Sequence, residues 1–217
     1  MKARAAAAEG AALAVPGITN SEGASASWGR SAVALATSEG FAGTYGGTSH
    51  SVSVSVLAGE GTGMERDDDF LSARHGGDLG DPAAAGREAA ARALKRLNPR
   101  KAETCAVPIV YDPRVSMSLV GHFAGAINGA SIARGVSFLK DKMGVRVFSA
   151  GVSIIDDPHR LRGLRSKPFD GEGVANSRRA LAHDGLLTTW IMDSASARHL
   201  GLATTGHAAR GTGGPPS

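Results

Sequence analysis

The chain has 217 residues, 42% of them hydrophobic and 20% charged, with a formal net charge of +4. This is the composition of a soluble globular chain, long enough for one large domain or two small ones. The mild, scattered charge lacks the dense basic stripe of a nucleic-acid binder, no apolar run approaches a membrane span, and the single cysteine, Cys105, excludes an intrachain disulfide and fits a cytosolic chain.

Residues 2–14 are alanine-rich and read as an amphipathic helix ended by Pro16-Gly17; Glu9 and Gly10 interrupt any resemblance to a signal peptide. After a polar segment, Thr19 to Gly23, strands are predicted over 25–37 and 41–57. Within the second, Ser51-Val52-Ser53-Val54-Ser55-Val56 alternates strictly. Period two places the valines on one face and the serines on the other, so one face is buried and one is wet, as in an antiparallel sheet. Gly59-Glu60-Gly61-Thr62-Gly63 reads as a turn, because it lacks the lysine and the strand–loop–helix context of a phosphate-binding loop. A returning strand over 64–74 carries Asp67, Asp68 and Asp69. Alternate residues point to opposite faces, so these carboxylates are expected on a solvated edge and not around a cation.

Asp81 and Pro82 suit the N-cap and first turn of a helix stopped by Asn98-Pro99. Ala85, Ala89, Ala93 and Leu97 form its apolar stripe, and Arg92, Lys95 and Arg96 favour its C-terminal end electrostatically. Residues 99–104 mark a boundary between two structural units, followed by a short buried strand over 104–111 that encloses Cys105. A helix is predicted from Ser116 to Arg134. Leu119, Val120, Phe123 and Ile127 share one face; Ser118, Gly121, Gly125 and Gly129 share the other, with His122 beside them. A glycine within a helix costs about 1 kcal/mol relative to alanine. A stripe of them therefore predicts close approach of another segment. Strands follow over 145–148 and 152–155, then a polar loop over 156–167. Asp184-Gly185 signals a hairpin joining 177–181 to 186–192, and a short helix is expected over 194–200. The chain ends in a Gly/Pro run with no structure of its own. The class is α+β, antiparallel sheets with packed helices.

No chemistry is legible on the long helix alone. The seven histidines include no pair with zinc-peptidase spacing, and no G-x-S-x-G elbow occurs, so no catalytic residue and no metal ligand is assigned. In Phe169-Asp170-Gly171-Glu172-Gly173, the two carboxylates would share a face in an extended chain, a pattern suited to acid/base work or a cation. The flanking glycines favour a structural turn instead. Arg160, Arg162, Arg165 and Lys167 lie near enough in sequence to neutralise the acids.

The runs L-V-G-H-F-A-G-A-I-N-G-A-S-I-A-R, F-L-K-D-K-M-G, D-P-H-R-L-R-G-L-R-S-K-P-F-D-G-E-G-V, D-G-L-L-T-T-W and S-A-R-H-L-G-L-A-T-T-G-H-A resemble, in this order, the PmbA (TldE) branch of the TldD/PmbA family. The upstream N-S-E-G, S-E-G-F-A-G-T-Y, S-V-S-V-S-V and M-E-R-D-D-D segments resemble its N-terminal domain. The resemblance implies a two-domain cytoplasmic protein, a subunit of a heteromeric zinc metalloprotease that processes or degrades unfolded peptides. It implies that residues 1–102 are the C-terminal part of the family's N-terminal α/β domain and 103–217 the beginning of its C-terminal domain, the pattern being truncated at both ends. The TldD-type partner carries H-E-x-x-x-H on the equivalent helix; the corresponding positions here are Gly121, His122 and Ala126. The expectation is therefore a non-metal subunit, with no cofactor in this chain and zinc in the partner. An independent peptidase, or a regulator binding DNA gyrase or DNA, is the alternative.

Overall fold

A computed structural model describes residues 1–211, 213, 214 and 216. The expected structureless end falls partly on Thr212, Pro215 and Ser217, which lie outside the described residues. The chain divides into two compact units: 1–33 with 46–106, and 34–45 with 107–217.

The first unit is built from α1 (Lys2–Leu13), β1 (Ile18–Ala36), β2 (Ala42–Ala58), β3 (Glu65–Ala73) and α2 (Pro82–Arg96), the tip of the β1–β2 hairpin belonging to the second unit. The three strands form one sheet in the order β1-β2-β3, and β2 pairs antiparallel with β3, Val54 opposite Asp69 and Val56 opposite Asp67. β1 begins earlier than expected and takes in the polar segment from Thr19. Strict alternation in β2 has the predicted consequence. Val52, Val54 and Val56 are almost fully buried in one core with Ala8, Ala12, Ala89, Ala90 and Ala93. Each buried valine contributes about 1.5–3 kcal/mol. On the other face, Ser25 bonds Ser53 at 2.9 Å and Ser27 bonds Ser51 at 2.7 Å.

The start of α2 follows its sequence signals. The Asp81 carboxylate accepts from the Ala83 N–H at 3.0 Å and the Ala84 N–H at 3.2 Å, with Pro82 in the first turn. Its packing depends on a residue that periodicity did not single out. A Cβ added at Gly86 would strike the Ala8 carbonyl oxygen and lie 3.1 Å from the Ala12 nitrogen. The helices approach at backbone distance, and only glycine fits there.

The β3 aspartates correct the expectation of a wholly solvated edge. Asp68 is exposed, but Asp67 is only 6% exposed and Asp69 is half-buried. Arg96 donates to Asp67 at 3.0 Å and Arg92 to Asp69 at 2.7 Å. The alternation was legible; the helix lying over one face was not.

The second unit contains α3 (Pro113–Ala126), α4 (Gly129–Ala133), β4 (Ile154–Asp156), β5 (Arg179–His183), β6 (Leu186–Leu187) and α5 (Ser194–His199). Its small sheet runs β4-β5-β6, antiparallel throughout. Phe123, Ile127, Leu181, Leu187, Trp190 and Met192 are central to its core. The turn between β5 and β6 puts Asp184 at φ 47° and Gly185 at φ 78°, the left-handed pair that a two-residue hairpin requires.

Three expectations fail between residues 104 and 148. Residues 104–111 form no strand; Ile109 is 71% and Val110 95% exposed, and Cys105 is exposed, not buried. An apolar run bounded by prolines mimics a buried strand when no pairing partner is available. The helix from Ser116 to Arg134 is two helices, because Asn128 turns the chain and caps α4, its side chain accepting from the Ala130 and Ser131 N–H groups at 3.1 and 3.2 Å. Residues 145–148 form no strand of their own; they meet the β5–β6 hairpin through a bridge between Arg146 and Leu186 and backbone bonds at Val145 and Val147.

The glycine stripe also divides. Gly121 and Gly125 face open space within this chain, so the close approach predicted there is absent. At Gly129 an added Cβ would lie 2.7 Å from both Met192 Cγ and Ser196 Oγ. Leu119 and Val120 are 47% and 40% exposed, leaving Phe123 and Ile127 as the buried members of the apolar face.

Gly86→Ala is expected to lower unfolding stability by about 1–3 kcal/mol through overpacking against backbone. Gly125→Ala is expected to leave it unchanged or raise it by up to about 1 kcal/mol. Urea denaturation of the two variants checks both, and equal effects would refute the distinction.

Candidate functional site

Three features of the second unit bear on function: the outer face of α3, the loop that follows β4, and the turn around Asp170.

On α3, Gly121 and His122 are exposed and Ala126 is partly covered. The helix begins with an Asp112 cap, whose carboxylate accepts from the Arg114 N–H at 2.9 Å. Phe123 anchors it, stacking edge-on with Phe148 at 4.9 Å between ring centroids. His122 therefore projects from a fixed helix into solvent.

The segment Phe169 to Gly173 is a turn, and its carboxylates do not share a face. Asp170 is 2% exposed. One of its oxygens accepts from the Glu172 and Val174 N–H groups, both at 2.9 Å; the other accepts from the Ala208 N–H at 3.0 Å. A buried carboxylate is stable only when hydrogen-bonded in this way. Glu172 reaches elsewhere, accepting from the Ser194 N–H at 2.9 Å and the Ser194 hydroxyl at 2.6 Å. It thereby ties the turn to the start of α5. Gly171 is required by space: an added Cβ would lie 2.8 Å from Arg210 Cβ and 3.0 Å from the Ala208 oxygen. Gly173 combines φ 83° with contact against the Phe41 ring. Both carboxylates hold the fold, Asp170 through both oxygens and Glu172 through one, and they do not face each other as an acid/base pair.

Phe169 meets aromatic partners that sequence reasoning missed. Its ring lies edge-on to Phe41 at 4.9 Å and to Tyr45 at 5.2 Å. These rings come from the hairpin tip, distant in the chain, and no local pattern pairs them.

The loop after β4 lines a cleft of about 810 Å3. His207 Nε2 lies 3.2 Å from Asp156 and its Nδ1 2.9 Å from the Thr205 hydroxyl; His159 Nε2 lies 2.9 Å from Asn176 Oδ1. The four basic residues of this loop do not neutralise Asp170 or Glu172, whose partners are the backbone and serine groups above. At the β5–β6 turn, the Gly151 N–H donates to Asp184 at 2.6 Å and Arg146 lies 3.5 Å from it. The Gly151 bond, then Arg146, holds the Asp184 carboxyl below the usual carboxylate range.

Residues 2–97 match the family model of the PmbA/TldA metallopeptidase central domain, and residues 104–217 that of its C-terminal domain. The chain belongs to the PmbA/TldD metallopeptidase family. It is 43% identical to Metalloprotease PmbA of Escherichia coli O157:H7 over 191 residues, 88% of this chain and 42% of that protein. It is 38% identical to a Metalloprotease PmbA homolog of Haemophilus influenzae over the same shares. A solved structure from Bacteroides thetaiotaomicron, described as a modulator of DNA gyrase, superposes with TM-score 0.89 at 27% identity, covering 95% of this chain and 47% of that one. The chain thus spans less than half the length of the curated relatives it matches. No helix among the described residues is long and apolar enough to cross a membrane.

A metallopeptidase zinc needs three protein ligands and an open position. On α3, Gly121, His122 and Ala126 supply one imidazole between them, that of His122. Among the described residues no three His, Cys, Asp or Glu side chains converge. The described residues of α3, with one imidazole, do not supply that ligand set.

Asp170→Asn should destabilise the chain by about 2 kcal/mol or more, because an amide NH2 would face a backbone donor in a buried site. Glu172→Gln should cost less, since one oxygen makes both bonds. Thermal melts rank the two, and the reverse order would contradict these roles. Asp184 has a depressed folded-state value. Its stabilising contribution is therefore present above the unfolded value of about 3.9 and is lost as pH falls through the lower folded value. Asp184→Asn, which keeps the left-handed turn, should flatten that acid limb in melting temperature against pH; an unchanged limb would count against the contribution.

Proposed function

We propose that this chain is the non-metal-binding subunit of a cytoplasmic zinc metalloprotease complex that processes or degrades unfolded peptides. A TldD-type subunit would hold the zinc and perform hydrolysis. One observation carries the reading: the helix expected to present a metal motif is well formed and fixed at both ends, yet the motif positions are Gly121, His122 and Ala126. Loss of ligands on an intact helix is what a paired, metal-free subunit would retain. The family membership supports the peptidase setting.

In this reading the chain contributes walls and not chemistry. Gly121 and Gly125, which meet nothing within this chain, present a smooth helix face on which a partner backbone or an extended peptide can lie closely. Residues 1–102 and 103–217 would act as successive domains of the subunit.

Co-expression with a TldD-type subunit, followed by co-purification, zinc analysis and assay on an unfolded peptide, tests the proposal. The expected result is a stable complex whose zinc is lost with the partner's histidines and kept in His122→Ala. Stoichiometric zinc on this chain alone, or a folded chain that never binds the partner, would overturn it.

A further inference from the structure

The cleft bordered by the loop after β4 has an unbalanced charge. It is lined by Arg160, Arg162, Arg165 and Lys167 on the basic side and by Asp156 and Asp157 on the acidic side. Both acids are already engaged away from the basic run. Asp156 faces His207 at 3.2 Å, and Asp157 lies 3.8 Å from Arg178 and accepts the His159 N–H at 3.2 Å. The side chains of Arg160, Arg165 and Lys167 have no ion pair among the described residues. Like charges gathered without counter-charges repel, and they raise the local concentration of an anionic ligand.

The backbone bearing these cations is braced. The Arg160 carbonyl accepts from the Gly163 N–H at 3.0 Å and the Ser166 hydroxyl at 2.8 Å, and the Lys167 N–H donates to the Pro158 carbonyl at 3.0 Å. Binding would thus order side chains and little backbone, which lowers its entropic cost. Apolar groups stand among the charges: Leu161 is 88% and Leu164 53% exposed, and both line the cleft. A small inorganic anion would leave those leucines unused. A peptide alternating carboxylates with apolar side chains would use both.

We propose that this cleft binds an acidic, leucine-containing segment of an extended peptide, with carboxylates on Arg160, Arg165 and Lys167 and apolar side chains on Leu161 and Leu164. The inference rests on the peptide-handling reading above and names the class of peptide selected.

The test uses the full chain and a fluorescein-labelled unstructured peptide of glutamate, leucine and glycine, read by anisotropy. The glutamate peptide should bind about tenfold more tightly than its glutamine counterpart, as expected for three exposed ion pairs formed together. The difference should shrink as salt rises. Replacing its leucines by serine should also weaken binding. The combined variant Arg160→Gln, Arg165→Gln, Lys167→Gln should bind both peptides equally weakly, and Arg165→Gln alone should lose about twofold. Circular dichroism melts show whether the variants remain folded; if the triple variant does not, the single variant decides. Equal affinity for the two peptides, unchanged binding in the variants, or displacement of the peptide by a tighter-binding single-stranded oligonucleotide would overturn the inference. Failure here is separable from failure of the subunit reading. A co-expressed complex that cleaves peptides without charge preference keeps the subunit and removes the cleft; charge-selective binding by a chain that forms no complex does the reverse.

Discussion

Ile191 holds the break between α3 and α4 in place, and the second unit is arranged around that junction. Its N–H donates to the Ile127 carbonyl at 2.9 Å, and its own carbonyl accepts the Gly129 N–H at 2.7 Å. Ile127 is fully buried at this point, so the hydrogen bonds form where water cannot compete. The main-chain bridge stops one helix, starts the next, and brings Met192 and Ser196 against Gly129. A side chain at Gly129 would push α5 away from α4. With the helix end fixed here, Phe123 points inward and Leu119, Val120 and His122 point out. The solvent-facing position of His122 is thus a consequence of where this bridge lies.

The charged groups of this unit fall into two kinds, and magnitudes separate them. Asp170 is buried and surrounded by backbone donors; losing one such bond from a buried ion costs about 1–3 kcal/mol. It closes a turn and holds the chain segment at Ala208, so its role is architectural. The basic loop after β4 is the reverse case. Its cations are largely exposed, where an ion pair contributes only about 0.2–1 kcal/mol each, and they add little to the fold. The first kind explains why the D-G-E-G turn has its shape; the second leaves a charged surface that folding does not require.

Glycine illustrates how one residue type carries different meanings in similar sequence settings. Gly86 and Gly125 both lie inside helices. Gly86 allows the Ala8 backbone to touch α2, an arrangement consistent with the buried alanines Ala8, Ala12, Ala89 and Ala93 around it. Gly125 touches nothing in this chain. Spacing along the helix made Gly121, Gly125 and Gly129 look alike, and only the neighbours distinguish them.

The family, the α+β class, the alternating strand Ser51 to Val56, the Asp81-Pro82 helix start and the Asp184-Gly185 hairpin were all determined by the sequence itself. The last three rest on local physics: period two, a side chain capping its own helix, a left-handed turn. The tertiary structure alone decided the rest. It broke the helix at Asn128, because Ile191 arrives from far along the chain to pair there. It exposed Cys105 and Val110, because no strand comes beside them. It buried Asp67 under Arg96, brought Phe169 to Phe41 and Tyr45, and gathered the basic side chains Arg160, Arg165 and Lys167 along a cleft. Long-range contacts depend on which surfaces meet, and residue spacing within one segment holds no record of its distant neighbours.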